Sequence, residues 1–350
     1  MYIIFLYLFI IAFLSMTLPK NNRGKKLFIY LSSGLLILLS SLRSISFGTD
    51  VPGYIISYNL LYYSSLQEIW NNFIESEGKD PFFYLFSKII SSLGASPQLW
   101  LTIISLIFLL AIFKMIYKYS PEPLLSIVAF ISLGYFYFSL TGLRQTLALA
   151  MIVFSYKYLR ERSLIKFISI VLIGFLFHST AIIFLIAYPI ANAKIGLKQT
   201  SGILLALIAA YFFKDNILSL LLLLSNEERY IYYIENGSTL SISGFVIQLF
   251  IYFFCLYYRK GAIEKNSSNS TLYNLLFLGL VFQSLSVVIA EFFRISMYFS
   301  IFSIILIPLA LSNEKNKNKK ALIYFSILCA LISYIIWTRD FIDFKFFWQI

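Results

Sequence analysis

Apolar runs of nearly bilayer-spanning length recur from one end of this chain to the other. A transmembrane helix needs roughly 20 apolar residues, each adding about 1.5 Å, to cross the hydrocarbon core. Only 13% of the 350 residues are charged, whereas soluble proteins average about 25%, so the chain has too little polar surface to cover a soluble globule. The sequence therefore predicts an all-α polytopic integral membrane protein. The runs lie at 2–18, 27–43, 98–117, 123–139, 143–159, 164–177, 180–192, 200–224, 243–258, 271–290, 295–311 and 321–337.

These runs predict about 12 transmembrane helices, within a range of roughly 10 to 13, in a single membrane domain over residues 1–350. The net charge of +12 would suggest nucleic-acid binding in a soluble protein. In a membrane protein, basic residues of short loops set the orientation instead. Threading the chain with its N-terminus outside puts most lysines and arginines inside and most acids outside. Both termini are therefore predicted to lie outside, and nucleic acid is not a predicted partner.

The connection at 44–97 is too long for a simple loop and is predicted to lie on the outer side. Within it, "DPFFYLFSKIISSLG" predicts a helix near 81–93, with Asp80 as N-cap, Pro81 at the first position and Gly94 at the end. The helix is too short to span and has one apolar face, which indicates an interfacial helix on the outer leaflet. The aromatic-rich C-terminal stretch "RDFIDFKFFWQI" is typical of a similar interfacial segment.

Seven ionisable residues remain at the outer ends of the predicted spans or in the outer loops. Lipid tolerates such groups only where a partner or water compensates them, so each is a candidate functional residue. Because they come from almost every outward-facing connection, we expect them to converge on one cavity built by helix ends. They are Arg43, Asp50, Arg144, His178, Arg229, Glu291 and Arg294.

Arg144 lies in "SLTGLRQTLALAM", where a Thr-Gly pair ends one run and Arg144-Gln145 opens the next. An anion at that turn would meet a guanidinium group and a helix N-terminus together. The alternative is an arginine whose side chain reaches up to the lipid headgroups. We favour the anion site, with Gln145 as a further substrate-binding candidate, because so tight a turn leaves the side chain little room.

His178 and Asp50 are the candidate general bases, and Arg43 lies close before Asp50. His178 is the only histidine, which excludes a histidine-rich metal site. The runs on either side of it are short, so its turn is predicted to be sunk into a wet or protein-lined cavity. A purely structural histidine remains the alternative. Asp50 is held between glycines and a proline, and it could instead only shape the loop as an Asx-turn residue.

Aromatic residues surround two further arginines. Arg229 lies in "NEERYIYYIENGS" with Tyr230 and Tyr233, and Arg294 lies in "EFFRISMYF" with Glu291 and Tyr298. Rings beside arginine and acid are what a carbohydrate cleft requires. The alternatives are an ordinary interfacial aromatic belt and a pairing of Glu291 with Arg294 across three residues.

Several motifs together resemble the EpsG family of exopolysaccharide polymerases. They are "GTDVPGY" (48–54, including Tyr54), "DPFFYL" (80–85), "LRQTLALAM" (143–151), "FHSTAI" (177–182) and "RISMYF" (294–299), in this order over about residues 40–300. The second motif has aspartate where we expect the family to have glutamate.

The resemblance implies a Wzy-like enzyme of the bacterial cytoplasmic membrane. Such a glycosyltransferase joins oligosaccharide repeat units, carried on undecaprenyl diphosphate, on the outer side of the membrane, for exopolysaccharide, capsule or O-antigen. It would work without a metal or other cofactor, beside the flippase and chain-length regulator of its pathway. We expect Arg43, Arg144 and Arg294 to hold the diphosphate. Asp50 or His178 would take the acceptor's proton.

Two other functions compete with polymerisation. A membrane-bound O-acyltransferase would use one intramembrane histidine, which fits His178 but leaves the outer arginines unexplained. A flippase or transporter of lipid-linked sugars would place charges along a path through the membrane, and here the charges gather at the outer ends. Internal pseudo-symmetry, common in transporters, is also not visible in the sequence.

Overall fold

The computed structural model describes residues 1–75, 80–193, 243–286, 291–338 and 340–349, with isolated positions between 201 and 219. Within these residues the regular structure is helical, and the β pairing is one isolated bridge between Arg43 and Phe346. The α-helices are α1 Tyr2–Thr17, α2 Asn22–Ser41, α3 Val51–Tyr63, α4 Leu66–Glu75, α5 Pro81–Ser92, α6 Pro97–Tyr119, α7 Pro123–Ser132, α8 Tyr135–Thr141, α9 Leu143–Arg160, α10 Leu164–Phe177, α11 Ala187–Ile190, α12 Ser243–Tyr257, α13 Arg259–Lys265, α14 Ser270–Leu285, α15 Phe292–Ser300, α16 Ser303–Leu311 and α17 Lys317–Thr338. Short 3₁₀ helices occupy Ser179–Ile186 and Ser267–Asn269.

The helices agree with an all-α membrane protein. By length and composition alone, α6 and α17 are long and apolar enough to cross a membrane, and the number of candidate spans in the described part rises to five if each bent helix pair is counted as one. α2 and α9 are 20 and 18 residues long, but each carries three basic residues. The predicted run at 200–224 lies largely outside the described residues, and the figure of 12 spans stays a prediction.

Two runs that the sequence reads as single spans are bent in the structure. The run predicted at 123–139 consists of α7 and α8, which meet at 52°. Gly134 lies between them with a φ of 81°, a left-handed conformation that glycine adopts without steric cost. The run at 295–311 is divided into α15 and α16, which meet at 45°. Apolar periodicity reports burial, and it does not report such a change of direction.

The chain forms two compact units, and the first comprises Met1–Leu185 and Glu314–Ile350. α6 runs through its core. Ser96 caps the helix by accepting a hydrogen bond from the Leu99 backbone N–H at 3.3 Å, and Pro97 takes the first helical position. One apolar cluster joins α3, α5, α6 and α9, and it includes Val51, Ile55, Tyr58, Phe83, Trp100, Leu101, Leu143 and Leu147. This cluster fixes the N-terminal turns of α3, α5 and α9 against one another.

The second unit, Ile186–Asn313, contains α11 to α16. Its helices are joined by a buried polar network. The Gln248 side-chain amide donates to the Gln283 amide oxygen and to the Ser296 hydroxyl, each at 3.2 Å. Ser296 donates to the Gly279 carbonyl at 2.8 Å. A Cβ at Gly279 would lie 3.0 Å from atoms of Ser300, so α14 and α15 pack at the close distance that small residues allow between membrane helices.

Candidate active site

Asp80 is the centre of a buried polar cluster in the first unit. It immediately precedes α5 and is only 3% exposed. The prediction that Asp80 caps α5 is correct for its position but wrong for its side chain, which makes no capping hydrogen bond to the helix. The carboxylate instead contacts residues of two distant segments. We call Asp80, Arg144, His178 and Tyr54 the Asp80 cluster.

Arg144 reaches Asp80 from the first turn of α9. Its Nη1 lies 2.9 Å from Asp80 Oδ2, and its Nε donates to the Tyr54 hydroxyl at 3.3 Å. The guanidinium carbon lies 5.6 Å from the centre of the Tyr54 ring, which adds a cation–π contact. α8 ends at Thr141 and α9 begins at Leu143, so the predicted Thr-Gly break does place Arg144 at a helix N-terminus.

His178 reaches the same carboxylate from the end of α10. The helix ends there because His178 has an extended backbone, with φ −157° and ψ 119°. Its Nδ1 lies 3.1 Å from Asp80 Oδ2, and the next backbone N–H, of Ser179, donates to Oδ1 at 2.9 Å. The Phe177 ring packs edge-on against the rings of Phe82 and Phe86. These ring contacts hold the end of α10 against α5.

The ionisation of Asp80 follows from these neighbours. Burial alone would raise the pKa of the carboxyl, but the bonds from His178 and Ser179 and the charge of Arg144 outweigh it, and the net pKa is lowered. Asp80 is therefore an ionised hydrogen-bond acceptor at neutral pH. It follows that His178 Nδ1 donates to Asp80, so that Nε2 is the ring nitrogen that can accept a proton.

Arg43 is fully buried in the first unit, beneath the C-terminal residues. Its Nη1 donates to the Ser40 carbonyl and the Ser105 hydroxyl, both at 3.0 Å, while Nε and Nη2 find no partner in the described part of the chain. Backbone bonds on either side of it, including the bridge to Phe346, attach the C-terminal stretch. In this conformation Arg43 offers no open face to a ligand. Its proposed contact with a diphosphate stays a prediction.

Asp50 and Gln145 lie close in sequence to Tyr54 and Arg144 of the Asp80 cluster. Asp50 is exposed, whereas Gln145 is buried. Asp50 precedes α3 and is exposed, and its carboxylate accepts a hydrogen bond from the Thr49 hydroxyl at 3.3 Å. The role of Asp50 as a base stays a prediction. Gln145 follows Arg144 on α9 and is 3% exposed.

Three of the remaining candidates belong to the second unit. Glu291, Arg294 and Tyr298 lie at α15 in the second unit, where Arg294 is exposed and Tyr298 is fully buried. The Arg294 backbone N–H donates to the Glu291 carbonyl at 2.9 Å. Arg229, Tyr230 and Tyr233 lie outside the described residues. The roles of all six stay predictions.

Sequence reasoning did not place Asp80 among the catalytic candidates. An acid before proline is typical of a helix start. This common interpretation leaves no reason to assign Asp80 a catalytic role. The available signal was the resemblance of "DPFFYL" to an acid-proline-aromatic motif. In the structure Asp80 contacts both Arg144 and His178, the two residues that the other motifs single out.

Comparison with known proteins identifies the family of the chain. A family model described as "EpsG family" matches residues 26–349, nearly the whole chain. The chain belongs to the EpsG family. The resemblance drawn from the motifs is thereby confirmed, and EpsG proteins are Wzy-like polymerases. No curated protein and no solved structure is significantly similar to this EpsG chain.

Proposed function

We propose that this EpsG protein is a glycosyltransferase that joins oligosaccharide repeat units carried on undecaprenyl diphosphate. The observation that carries the proposal is the Asp80 cluster, in which one carboxylate orients a histidine and an arginine. A transfer from a lipid diphosphate needs a base for the acceptor hydroxyl and a cation for the leaving group. The cluster supplies both.

His178 serves as the general base in this proposal. Asp80 accepts from Nδ1, fixes the tautomer and stabilises the imidazolium that forms, as the acid does in a Ser-His-Asp triad. Nε2 then takes the proton of the acceptor hydroxyl as that oxygen bonds to the anomeric carbon of the donor. His178 is preferred to Asp50, because a contact with the hydroxyl of Thr49 does not orient a carboxylate for this task.

Arg144 serves as the cation for the leaving group. Its Nη1 and Nε are engaged by Asp80 and Tyr54, and Nη2 has no protein partner among the described residues. The side chain is 32% exposed, so this nitrogen can reach a ligand. As the bond from the anomeric carbon to the diphosphate oxygen breaks, the charge that develops on the diphosphate is balanced by the guanidinium group. In the proposed step the guanidinium group takes the place of a metal ion.

The predicted topology supports a location of the reaction outside the cell. With 12 spans and both termini outside, the long connection that carries Asp80 and the starts of α3, α5 and α9 all belong to the outer side. The protein would lie in the bacterial cytoplasmic membrane and receive its substrate from a flippase. A chain-length regulator would act on the product, whether exopolysaccharide, capsule or O-antigen.

The test is the polymer made by cells that lack the native protein. They would be complemented with wild type, Arg144→Ala or His178→Ala at equal membrane levels, and the product would be resolved by length on a gel. We expect a ladder with wild type and only single lipid-linked repeat units with either variant. Arg23→Ala, at an exposed position at the start of α2, is the control and should give the full ladder.

Other outcomes would favour the competing functions. A change in acetylation alone would favour an O-acyltransferase. A change only in the side of the membrane on which single units accumulate would favour a flippase. Normal ladders from both variants would mean that the Asp80 cluster is structural.

A further inference from the structure

A row of tyrosines leads away from the Asp80 cluster along α3. Tyr54, which receives the Arg144 hydrogen bond, is followed at four-residue steps by Tyr58 and Tyr62. Residues four apart lie on the same face of a helix. With a rise of about 1.5 Å per residue, Tyr54 and Tyr62 are separated by roughly 12 Å along the axis. The row therefore begins at the proposed reaction centre and ends well away from it.

A cleft of about 360 Å³ opens at the far end of this row, between α3 and the end of α5. None of the described side chains that line it is charged, so it suits a neutral ligand. The lining contains aromatic rings, an amide and a hydroxyl. A purely apolar lipid chain could not form hydrogen bonds with the amide and the hydroxyl. The lining includes Tyr58, Asn59, Tyr62, Tyr63, Ser91 and Gly94.

The floor of the cleft is rigid. Tyr58 is 2% exposed, its ring stacks on Trp100 with centres 4.6 Å apart, and its hydroxyl donates to the Ala95 carbonyl at 2.8 Å. The Lys88 ammonium donates to the carbonyls of Leu61 and Tyr62 at 2.8 and 3.1 Å, and so ties α5 to the last turn of α3. The cleft is therefore preformed.

The rim of the cleft is open. The Tyr62 and Tyr63 residues are 53% and 85% exposed, and their rings meet edge to face with centres 5.1 Å apart. Gly94, which also lines the cleft, has a φ of 73°, and a Cβ built on it would meet no atom within 4 Å. Two rings at right angles beside an open wall leave room for a flat ligand to lie against one ring face.

We propose that this cleft binds a sugar ring of the substrate oligosaccharide, at a distance from the reacting end that the row of tyrosines sets. The proposal rests on the proposed function, because it treats Tyr54 as the start of the path. The face of a pyranose ring stacks on tyrosine, and its hydroxyls bond to the Asn59 amide. A remote site of this kind retains the growing chain between transfers, so it governs product length more than the transfer step itself.

The first experiment compares product length. The complemented cells would carry Tyr62→Ala, Tyr63→Ala or both, with Tyr62→Phe and Tyr63→Phe to keep the rings, and Tyr30→Ala on α2 as an exposed control. We expect the alanine variants to join units but to shift the ladder to shorter chains. The phenylalanine variants and the control should stay close to wild type. An unchanged ladder in the double alanine variant would overturn the proposal, as expected if the tyrosines only form an interfacial belt.

The second experiment measures binding without the reaction. Purified protein in detergent would be titrated with oligosaccharide fragments released from the cells' own polymer by partial acid hydrolysis. Loss of one stacking ring should weaken binding by about two- to tenfold, while the control Tyr30→Ala on α2, which does not line the cleft, should bind the fragments as wild type does. Equal binding by wild type and the double alanine variant would overturn the site. If wild type bound the fragments but cells without the protein still made the full polymer ladder, the proposed function would fail and the site would stand.

Discussion

Asp80→Asn removes the charge at the centre of the Asp80 cluster while it keeps the shape of the side chain. Asparagine also accepts the left-handed backbone of Asp80, whose φ is 59°, so the substitution adds no backbone strain. The amide oxygen can still accept the hydrogen bond from Ser179. The amide nitrogen, however, would face the donors of Arg144 and His178, and two charge-assisted hydrogen bonds would be lost.

The magnitude follows from the burial of the partners. A hydrogen bond to a charged group contributes about 1.5–3 kcal/mol, and breaking a fully buried ion pair costs about 3–5 kcal/mol. The Asp80 side chain is 2% exposed, but those of Arg144 and His178 are 32% and 19% exposed and can turn to water. We therefore expect Asp80→Asn to lower the free energy of unfolding by about 2–4 kcal/mol. The joining of repeat units should fall by about 100-fold or more, since His178 would no longer be held in the required tautomer.

The assay is the thermal unfolding midpoint of the purified protein in detergent, together with the polymer ladder from complemented cells. Asp50→Asn is the matched control for stability, because it makes the same chemical change at an exposed carboxylate. Exposed substitutions of this kind stay within about 0.5 kcal/mol. Equal midpoints for Asp80→Asn and wild type, with a normal ladder, would refute the reasoning.

Four further predictions follow from single features of the first unit. Arg144→Lys keeps the charge but loses the planar fork, so the ladder should be lost although the protein reaches the membrane at wild-type levels. Because the pKa of Asp80 is lowered on folding, its contribution to stability is present above the unfolded value of about 3.9 and is lost as the pH falls through the folded value. The difference in unfolding midpoint between wild type and Asp80→Asn should therefore be present above about pH 5 and narrow below about pH 4. Arg43→Met should unfold at the same or a higher temperature, since an apolar side chain replaces a buried cation, two of whose nitrogens have no partner among the described residues; a lower midpoint would contradict this. Gly48→Ala should cost about 1–3 kcal/mol in the same unfolding assay, because the φ is 96° and the new Cβ would lie 2.4 Å from Thr141 Cγ2; a midpoint equal to that of wild type would contradict it.

The helical runs of the first unit could be predicted because their signals are local. The end of α10 at His178 and the start of α9 before Arg144 both follow from short stretches of sequence, and the structure agrees with them. The bend at Gly134 depends on one residue in a left-handed conformation. A single glycine within an apolar run gives no warning of that conformation.

The residues of the candidate site could be predicted better than the contacts between them. Arg144 and His178 were recognised because lipid makes isolated charges costly. Their common partner, Asp80, was not recognised because it lies in a loop, where an acid has an ordinary explanation. The pairing joins segments far apart in sequence, and no local pattern records it. The burial of Arg43 under the C-terminal residues is a long-range contact of the same kind.

The spacing of the Asp80 cluster along the chain has a consequence for biogenesis. Asp80 precedes Arg144 by 64 residues and His178 by 98 residues. Since a nascent chain emerges from its N-terminus, this carboxylate leaves the ribosome before either partner does and, under the predicted topology, moves to the outer side. It stays solvated until α9 arrives, and it loses its water only when α10 inserts and delivers His178 with the Ser179 N–H. Closure of the cluster is therefore a late step of membrane insertion, and a chain stopped before α10 would carry a helix α5 that packs on α3, α6 and α9 but lacks the His178 and Ser179 bonds to Asp80.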